Sequence, residues 1–549
     1  MNKNLKVLYP TLLAIAVAAG VLLGTKIQRR MTPTSTQAVN FFQPDKISLL
    51  LKLIQKDYVD SVDNSAIVEK VIPDMLKELD PHTTYLPAED MKTVNEEMRG
   101  NFSGIGVQFR MQKDTVMIID VVSGGPSKKL GIQAGDRIIK VDGKDIAGVK
   151  LPSDSIVSML RGRKGTIVNV TVYRPGFADL FNFDIERGEI PIFSVDIAYM
   201  ITPKIGLIKV NRFAESTYEE FVNAIDTLKE KGAEKLIVDL RENSGGSLSA
   251  VINMVDEFLP TNQLIVYTEG KARARDDYFS TDRGSWEDKQ VAVLINEFSA
   301  SASEIFAGAI QDNDRGIIIG RRSYGKGLVQ EQIPFYDGSA LRLTVARFYT
   351  PSGRCIQKSY EDGIEAYQMD FHNRLMHDEL NEKDSIHFDN KLKYYTKAGR
   401  TVYGGGGIMP DFFIPVDTTG INALYSAILS KNMVMQFAFN YADSNRPVLK
   451  QLGETNAIVD YLNTQGVFNQ FMQQVREKGI SYSSVEFTES KTLLKTQLNA
   501  LICQYILGDD AFYPVIFKID QTVNKAVELL QQNWTTAEIS KIEETVELN

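Results

Sequence analysis

The sequence predicts a multidomain protein of the α/β class, and three patterns support this prediction. Strand-like and helix-like runs alternate between residues 188 and 358, as is typical of an α/β layer. Short β-type runs separated by glycine turns fill residues 99–187, and apolar residues at helical spacing fill 41–98 and the region after 416. The 549 residues, of which 43% are hydrophobic, can bury the cores of several domains.

The first 30 residues contain an apolar run from about residue 7 to residue 24, with basic residues on both sides. Such a run is typical of a signal anchor or a signal peptide. Ala14, Ala16 and Ala18 could form a site for a signal peptidase, but the apolar run continues through Leu23, which favours an uncleaved anchor. Residues 1–30 are therefore predicted to be a signal anchor or signal peptide.

Two modules are predicted between this segment and the α/β layer. Residues 40–98 are predicted to form a helical unit, because apolar residues recur at helical spacing before the helix breaker Asp80-Pro81. Residues 99–187 are predicted to form a compact β-rich module, since runs such as Val116–Val122 and Ile167–Tyr173 lie between glycine turns.

The alternating region, residues 188–415, contains strand-like runs such as Val291–Ile295 and helix-like runs such as Ala302–Gln311. Within it, the charge-rich stretch 359–398 has weak periodicity and is predicted to be an excursion from the layer. Residues 416–549 repeat apolar residues at helical spacing, so we expect a helical C-terminal domain. That domain's sequence indicates little about its chemistry.

The composition argues against nucleic-acid-binding and metal-dependent proteins. The chain has 61 Lys and Arg against 70 Asp and Glu, a net charge of −9, and no basic block that would bind a phosphate backbone. The two cysteines, Cys355 and Cys503, lie far apart, and the four histidines include no HExxH pattern. Neither a nucleic acid nor a bound metal is therefore expected.

The run Ser299–Glu304 follows a predicted strand, and Gly325-Lys326-Gly327 follows further along the chain. Ser301 and Lys326 are 25 residues apart, enough for a helix and a return strand to bring both side chains together. A serine hydroxyl becomes a nucleophile only with a base in hydrogen-bond reach. The pair therefore predicts a serine nucleophile with a lysine base, at the N-terminus of the helix that begins at Ala302.

A lysine acts as a base only if its pKa falls from about 10.4 towards 7 or 8, which burial can achieve. Gln330 lies four residues after Lys326. On a helical turn the two would be adjacent, whereas on a straight strand they would be about 13 Å apart, and the sequence leaves both arrangements open. Ser323 also stands in the S-x-x-K spacing of other serine–lysine enzymes, but that arrangement needs a helix, which Gly325 disfavours.

A second element, Asp239–Gly246, follows a predicted strand and precedes a predicted helix. Its adjacent glycines can turn a backbone N–H group towards a substrate carbonyl, so with the Ala302 N–H they are candidates for an oxyanion hole. The same run resembles the nucleophile region of trypsin-like proteases, in which Ser244 would attack. That alternative requires an upstream histidine, and His82 is the only one.

Together these elements resemble the C-terminal processing (tail-specific) proteases, which are serine–lysine endopeptidases with an embedded PDZ domain. The resemblance covers roughly residues 40–355 and resumes at 399–411. It rests on five blocks in order: Leu79–Leu86, Gly104–Val107, Asp239–Gly246, Ser299–Glu304 and Gly325–Gln330. It implies a crotonase-like α/β protease core at 188–415 and a PDZ domain at 99–187.

The resemblance also implies roles for individual residues. Ser301 would be the nucleophile, Lys326 the general base, and Gln330 the residue that orients the lysine. Gly246 and Ala302 would donate the N–H groups of the oxyanion hole, with Gly245 as an alternative to Gly246. No cofactor is implied.

The loop Gly104, Ile105, Gly106 and Val107 resembles the carboxylate-binding loop of PDZ domains. There, backbone N–H groups bind the terminal carboxylate of a peptide that adds as a β-strand. The expected partners are therefore protein substrates with exposed C-termini. The family resemblance and the N-terminal segment together imply a protein anchored on the periplasmic side of the inner membrane, or free in the periplasm if that segment is cleaved.

The main alternative is a PDZ-containing scaffold whose protease core is inactive and which binds C-terminal peptides without cutting them. The joint presence of Ser301, Lys326 and Gln330 argues against it, because an inactive descendant needs none of them. Homo-oligomerisation and an adaptor protein both stay open.

Overall fold

The computed structural model describes residues 46–112 and 114–532. It divides the chain between Met75 and Leu76 into two units, of which the first holds α1 (Lys46–Asp57) and most of α2 (Asn64–Lys77). The predicted anchor at residues 1–30 lies outside the described residues. Among the helices that are described, none combines the length and the apolar character that crossing a bilayer requires.

The second unit begins with a short strand and a helix, β1 (Thr84–Leu86) and α3 (Ala88–Arg99). The β-rich module follows, and its main sheet has the strand order β3-β4-β5-β7-β8, with β6 paired to β5. A separate pair, β2 and β9, joins the module's two ends. Its elements are β2 (Asn101–Gly104), β3 (Val107–Gln112), β4 (Thr115–Val121), α4 (Pro126–Lys129), β5 (Arg137–Val141), β6 (Lys144–Asp145), α5 (Ser153–Leu160), β7 (Ile167–Tyr173), β8 (Phe181–Glu186) and β9 (Gly188–Pro191).

The core contains a six-stranded sheet of order β10-β11-β12-β15-β16-β21. All neighbouring strands run parallel except β10 and β11. Its strands are β10 (Val195–Met200), β11 (Ile205–Val210), β12 (Lys235–Asp239), β15 (Val291–Ile295), β16 (Ile317–Gly320) and β21 (Phe412–Phe413). One face is covered by three crossover helices, α6 (Thr217–Glu230), α7 (Leu248–Asp256) and α8 (Ala302–Asp312), of which α8 is buried along its whole length.

A second sheet stands beside the first, with the order β1-β18-β13-β14 and with β17 paired to β18. Its core strands are β13 (Leu264–Glu269), β14 (Asp276–Phe279), β17 (Leu328–Pro334) and β18 (Ala340–Tyr349). The predicted excursion at 359–398 is more ordered than its weak periodicity indicates. With the residues that follow it, it forms α9 (Ile364–Gln368), α10 (Asp370–Met376), β19 (Lys393–Tyr395) and β20 (Thr401–Tyr403).

The C-terminal region is helical, as expected. Its helices are α11 (Ala423–Ser430), α12 (Met433–Ser444), α13 (Arg446–Leu452), α14 (Thr455–Thr464), α15 (Val467–Glu477), α16 (Ser484–Leu507), α17 (Asp509–Ile516) and α18 (Gln521–Gln531). The last helix packs on the second face of the six-stranded sheet, where Val523, Ala526 and Leu529 are fully buried against strand residues such as Ile237. The C-terminal region therefore covers the second face of the core sheet.

The same region also holds the β-rich module. Arg137 of β5 forms an ion pair with Asp443 of α12 at 2.8 Å, and Arg110 of β3 donates to the hydroxyl of Tyr505 in α16 at 2.9 Å. Met117 of β4 is buried within the apolar cluster of the C-terminal helices. One set of helices thus contacts both the core sheet and the β-rich module.

Candidate active site

Three loops of the core meet at one edge of its sheet. Strands β12, β15 and β16 lie side by side and run parallel, so the loops after their carboxyl ends emerge at the same edge. The first loop carries Gly246, the second carries Ser301 and the third carries Lys326. All three residues line one cleft of about 870 Å3, as the sequence analysis predicted for the serine and the lysine.

The turn that presents Ser301 is strained. Its φ of +54° and ψ of −111° lie outside the regions that non-glycine residues favour. Its N–H donates to Glu304 Oε2 at 2.8 Å, which stabilises the turn. Because Ser301 directly precedes α8, the N-terminal end of the helix dipole lies beside the hydroxyl and favours negative charge there.

The backbone around the serine leaves two N–H groups free for a substrate oxygen. Gly245 N–H already donates to Asn243 Oδ1 at 2.9 Å. Within the described residues, Gly246 N–H and Ala302 N–H donate to no other group. Gly246 has a φ of +144°, and a Cβ there would lie 2.1 Å from the carbonyl oxygen of Phe213, so only glycine fits. The geometry therefore favours Gly246 over Gly245 as the second donor beside Ala302.

Lys326 is mostly buried, and its ammonium group lies in the same cleft. Burial lowers its pKa, the charge of Arg342 lowers it further, and the charges of Glu304 and Asp80 oppose this, so that the net pKa lies below its ordinary value. Nζ donates to Gln330 Oε1 at 3.0 Å. The structure shows no direct hydrogen bond between Lys326 Nζ and Ser301 Oγ, an approach that catalytic pairs often complete only with substrate bound.

Gln330 reaches Lys326 by an arrangement that is neither a helical turn nor a straight strand. Lys326 precedes β17, and the register of β17 against β18 shifts between Val329 and Gln330. The Gln330 Nε2 group donates to the backbone carbonyl of His82. This fixes the amide so that its oxygen faces the lysine.

The block Leu79–Leu86 holds that carbonyl in place. Asp80 Oδ1 accepts from the N–H groups of His82 and Thr83 at 2.8 and 2.9 Å, and from the Thr344 hydroxyl at 3.1 Å. Asp80 is 8% exposed, so these bonds fix a buried turn. His82 thus contributes to the site through its backbone carbonyl, which binds Gln330.

The alternative that pairs Ser244 with His82 does not fit the structure. His82 Nε2 is hydrogen-bonded to the hydroxyl of Tyr367 at 2.7 Å, and no hydrogen bond joins it to Ser244, which is also described. Burial and the charge of Lys326 lower the pKa of His82 to about 4. His82 is therefore not placed to act as a base for Ser244, and the S-x-x-K alternative fails because Ser323 and Lys326 lie outside any helix.

Glu304 is a site residue that the sequence analysis missed. Its carboxylate is fully buried and accepts four hydrogen bonds. Oε2 accepts from the N–H groups of Ser301 and Lys326, both at 2.8 Å, and Oε1 accepts from Gly325 N–H at 2.7 Å and Ser323 Oγ at 2.5 Å. Burial raises its pKa, which these donors oppose. One carboxylate thus joins the serine turn to the lysine loop.

The segment predicted as an excursion also supports the lysine loop. Arg374 of α10 is 3% exposed and donates to the carbonyl oxygens of Ser323 and Tyr324 at 2.8 and 3.2 Å. Lys358 pairs with Asp370 at 2.8 Å. Nothing in the weak periodicity of this stretch indicates these contacts.

Comparisons with known proteins match three parts of the chain. Family models match Peptidase family S41 at residues 204–366, a PDZ domain at 103–185 and a family of unknown function at 424–508. The chain is 35% identical over 350 residues to the carboxy-terminal-processing protease of Bartonella bacilliformis, which covers 62% of this chain and 80% of that protein. It is 32% identical over 359 residues to the carboxy-terminal processing protease CtpA of Bacillus subtilis, which covers 65% and 76% respectively.

The chain belongs to the carboxy-terminal processing proteases. The predicted fold class, an α/β protease core with an inserted PDZ domain and a helical C-terminal region, is confirmed. Among solved structures, the photosystem II D1 C-terminal processing protease is 25% identical, over 57% of this chain and 89% of that one, with a TM-score of 0.32.

The PDZ domain of this protease has a sheet edge that no further described strand pairs with. β3 is the outermost strand of its sheet, and in the described residues the N–H groups of Ile105 and Gly106 donate to no other group. The carbonyl oxygens of the same two residues accept from Ser127 and Val122, which fixes the loop. Gly104 and Val107 end β2 and begin β3, so the four predicted residues form the connection between these strands.

The described residues contain no group of three or more side chains that could hold a metal ion.

Proposed function

We propose that this protease is an exported serine endopeptidase that hydrolyses protein substrates near their C-termini. Ser301 is the nucleophile, Lys326 the general base, and Gln330 the residue that orients the base. The PDZ domain recognises the substrate's C-terminal tail.

One observation carries this proposal. Lys326 lies in the same cleft as Ser301, and its Nζ donates a hydrogen bond to Gln330. The Gln330 side chain is in turn fixed by its hydrogen bond to the His82 carbonyl. A solvated turn lysine would be exposed and would have no such partner. A lysine with a lowered pKa beside a serine on a strained turn fits a base and a nucleophile.

The residues can perform acyl transfer in two stages. Neutral Lys326 accepts the hydroxyl proton of Ser301 as Oγ attacks the scissile carbonyl, and the resulting oxyanion receives hydrogen bonds from Gly246 and Ala302. The protonated lysine then donates its proton to the leaving amine, which leaves an acyl-enzyme on Ser301. A water molecule, deprotonated by the same lysine, attacks that ester, and the lysine returns the proton to Ser301 Oγ as the acid product leaves.

The open edge of β3 supports tail recognition. A peptide that adds beside β3 would place its carboxylate at the loop Gly104–Val107, where the N–H groups of Ile105 and Gly106 are free. Gly106 has a φ of +77°, which favours glycine. A Gly106→Asp variant would bring a negative charge to the loop and should lose cleavage of tail-bearing substrates.

The apolar run near the N-terminus supports export and attachment to the periplasmic side of the inner membrane. Cell fractionation tests this part of the proposal. Recovery of the protein in the periplasm or in the inner-membrane fraction with the protease domain accessible from the periplasm would agree with it, and recovery in the cytosol would refute it.

The catalytic assignment is tested by cleavage of an unfolded protein with an apolar C-terminus. Wild type should cut it, Ser301→Ala and Lys326→Ala should be inactive, and Ser244→Ala should stay largely active. Ser244 lines the same cleft and serves as the matched control. Peptide binding without cleavage by wild type would instead favour the inactive PDZ scaffold.

A further inference from the structure

The loop that carries Gly246 starts from a buried ion pair. Arg241 donates to Asp239 through Nε at 2.9 Å and Nη2 at 2.7 Å, and its own N–H also donates to this carboxylate at 3.0 Å. Asp239 is fully buried at the end of β12. Burial raises the pKa of Asp239, but the charges of Arg241 and Lys209 outweigh this and hold it at about 2.

The remaining nitrogen of the Arg241 guanidinium, Nη1, forms an ion pair with a residue of the C-terminal region. Arg241 Nη1 lies 3.0 Å from Asp520 Oδ1 and 2.9 Å from Asp520 Oδ2. The two residues are 279 positions apart in sequence. With side-chain exposures of 15% and 21%, the pair is largely withdrawn from water, so it is screened less than a surface ion pair.

Asp520 is held by the helix that it begins. Its carboxylate accepts the N–H of Val523 at 3.0 Å, so Asp520 is the N-cap of α18. At the other end of α18, the carbonyl of Leu530 accepts from Lys235, the first residue of β12. The N-cap of α18 thus contacts Arg241, just after β12, and the last residues of α18 contact Lys235, at the start of β12. The apolar face of α18 between these two contacts is buried on the sheet.

Between Arg241 and Gly246 the loop is anchored by further hydrogen bonds. Glu242 has a φ of +65°, and its N–H donates to Asn296 Oδ1 at 3.0 Å. The Asn243 side chain donates to the carbonyl of Val210 at 2.9 Å and accepts from Gly245 N–H. Arg241 is thus the first of several anchored positions within five residues of Gly246, so a displacement of Arg241 would shift the start of this short loop.

We propose that Asp520 is a positioning residue of the reaction: by holding Arg241 it keeps the loop that carries Gly246 in the geometry that stabilises the oxyanion. The proposal rests on the function given above for Gly246. It gives the last helix a role in catalysis, although that helix touches none of the reacting atoms.

The test uses Asp520→Asn in the full chain. Asparagine caps a helix as well as aspartate does, so α18 keeps its N-cap while the ion pair to Arg241 is lost. Removal of one oxyanion donor costs about 10²- to 10³-fold in kcat, so a displaced donor should cost roughly tenfold. We expect that loss in kcat, with KM changed less than twofold and with the melting temperature within a few degrees of wild type.

Two matched variants and one inhibitor separate positioning from stability. Glu528→Gln alters an acidic residue of the same helix that is 58% exposed and pairs only with Lys525 in the described residues, so its kcat should equal that of wild type. Asp520→Glu restores the charge and should recover part of the activity. A peptide aldehyde, which forms a tetrahedral adduct, should bind Asp520→Asn roughly tenfold more weakly, whereas the corresponding unreactive peptide should bind it equally well.

A kcat for Asp520→Asn within twofold of wild type would overturn the proposal. So would a kcat loss matched by equal weakening of the unreactive peptide, or one accompanied by a large drop in melting temperature. The Ser301→Ala variant distinguishes the two claims. If it is inactive while Asp520→Asn is fully active, only the positioning role fails, and if it cleaves like wild type, the proposed function fails as well.

Discussion

The buried carboxylate of Glu304 gives the sharpest prediction, because it joins the serine turn to the lysine loop. Glutamine at this position has the same shape but only one acceptor oxygen. If its NH2 group replaced Oε2, it would face the N–H groups of Ser301 and Lys326 and leave both unpaired. If it replaced Oε1, the Ser323 hydroxyl could rotate away and accept from it, so that Gly325 N–H would be the one backbone donor to lose its partner. The second orientation is therefore the less costly one.

The expected cost follows from the remaining contacts. One unpaired buried N–H costs about 1 to 3 kcal/mol, and each of the other bonds weakens by roughly 1 kcal/mol when its partner is no longer charged. Relief of the desolvated charge offsets part of this sum. Glu304→Gln should therefore lower the free energy of unfolding by about 2 to 3 kcal/mol. A shift of about 1 Å at Lys326 should also lower kcat roughly 100-fold.

Urea denaturation and steady-state cleavage of the unfolded substrate measure these two effects. Asp256→Asn is the matched control, because Asp256 is a buried carboxylate of the same core that accepts from Thr281 and Arg283 and touches neither Ser301 nor Lys326. It should lose stability without a specific loss of kcat. A Glu304→Gln variant with kcat within threefold of wild type and stability within about 0.5 kcal/mol would refute this reasoning.

Three further variants test other parts of the site. Gly246→Ala would place a Cβ 2.1 Å from the carbonyl oxygen of Phe213, so kcat should fall by about 10²-fold or more; kinetics equal to wild type would exclude Gly246 as a donor. Arg342→Gln removes a charge that lowers the pKa of Lys326, so the acidic limb of the kcat/KM profile should move to higher pH, and an unchanged or lower apparent pKa would contradict this. Folding lowers the pKa of His82 from 6.5 to about 4, so between these pH values the folded state binds fewer protons than the unfolded state. The stability of the protein should therefore fall as the pH falls from 6.5 to about 4. In thermal melts His82→Gln should make this loss of stability less steep, and an equally steep loss would count against the prediction.

Sequence predicted that Ser301 and Lys326 lie together, which the cleft shows, because local rules apply to both residues. Ser301 precedes a helix-forming run, and the glycines beside Lys326 indicate a close approach of backbone segments. The parallel strands then bring the two loops to one edge. The signal for Glu304 was also present, since Ser301 and Glu304 form the S-x-x-E spacing of a capping box. What that pattern could not indicate is that the same carboxylate also binds the lysine loop.

Other parts of the site have no local signature. Gln330 is oriented by a backbone carbonyl, that of His82, and every residue has such a group. Its position relative to Lys326 depends on a register shift in β17 that arises from pairing with β18. Arg374 supports the lysine loop from a segment with weak periodicity. The bond between Arg241 and Asp520 joins residues 279 positions apart, and only the tertiary fold brings them together.

The central claim is that Ser301 becomes acylated with Lys326 as the base. The most direct measurement is mass spectrometry of the full-length protein after a single turnover with a p-nitrophenyl peptide ester and an acid quench. The account predicts one acyl adduct, on the peptide that contains Ser301, present in Ser244→Ala and absent from Ser301→Ala and Lys326→Ala. An adduct on Ser244, or full acylation of Ser301 in the Lys326→Ala variant, would contradict it.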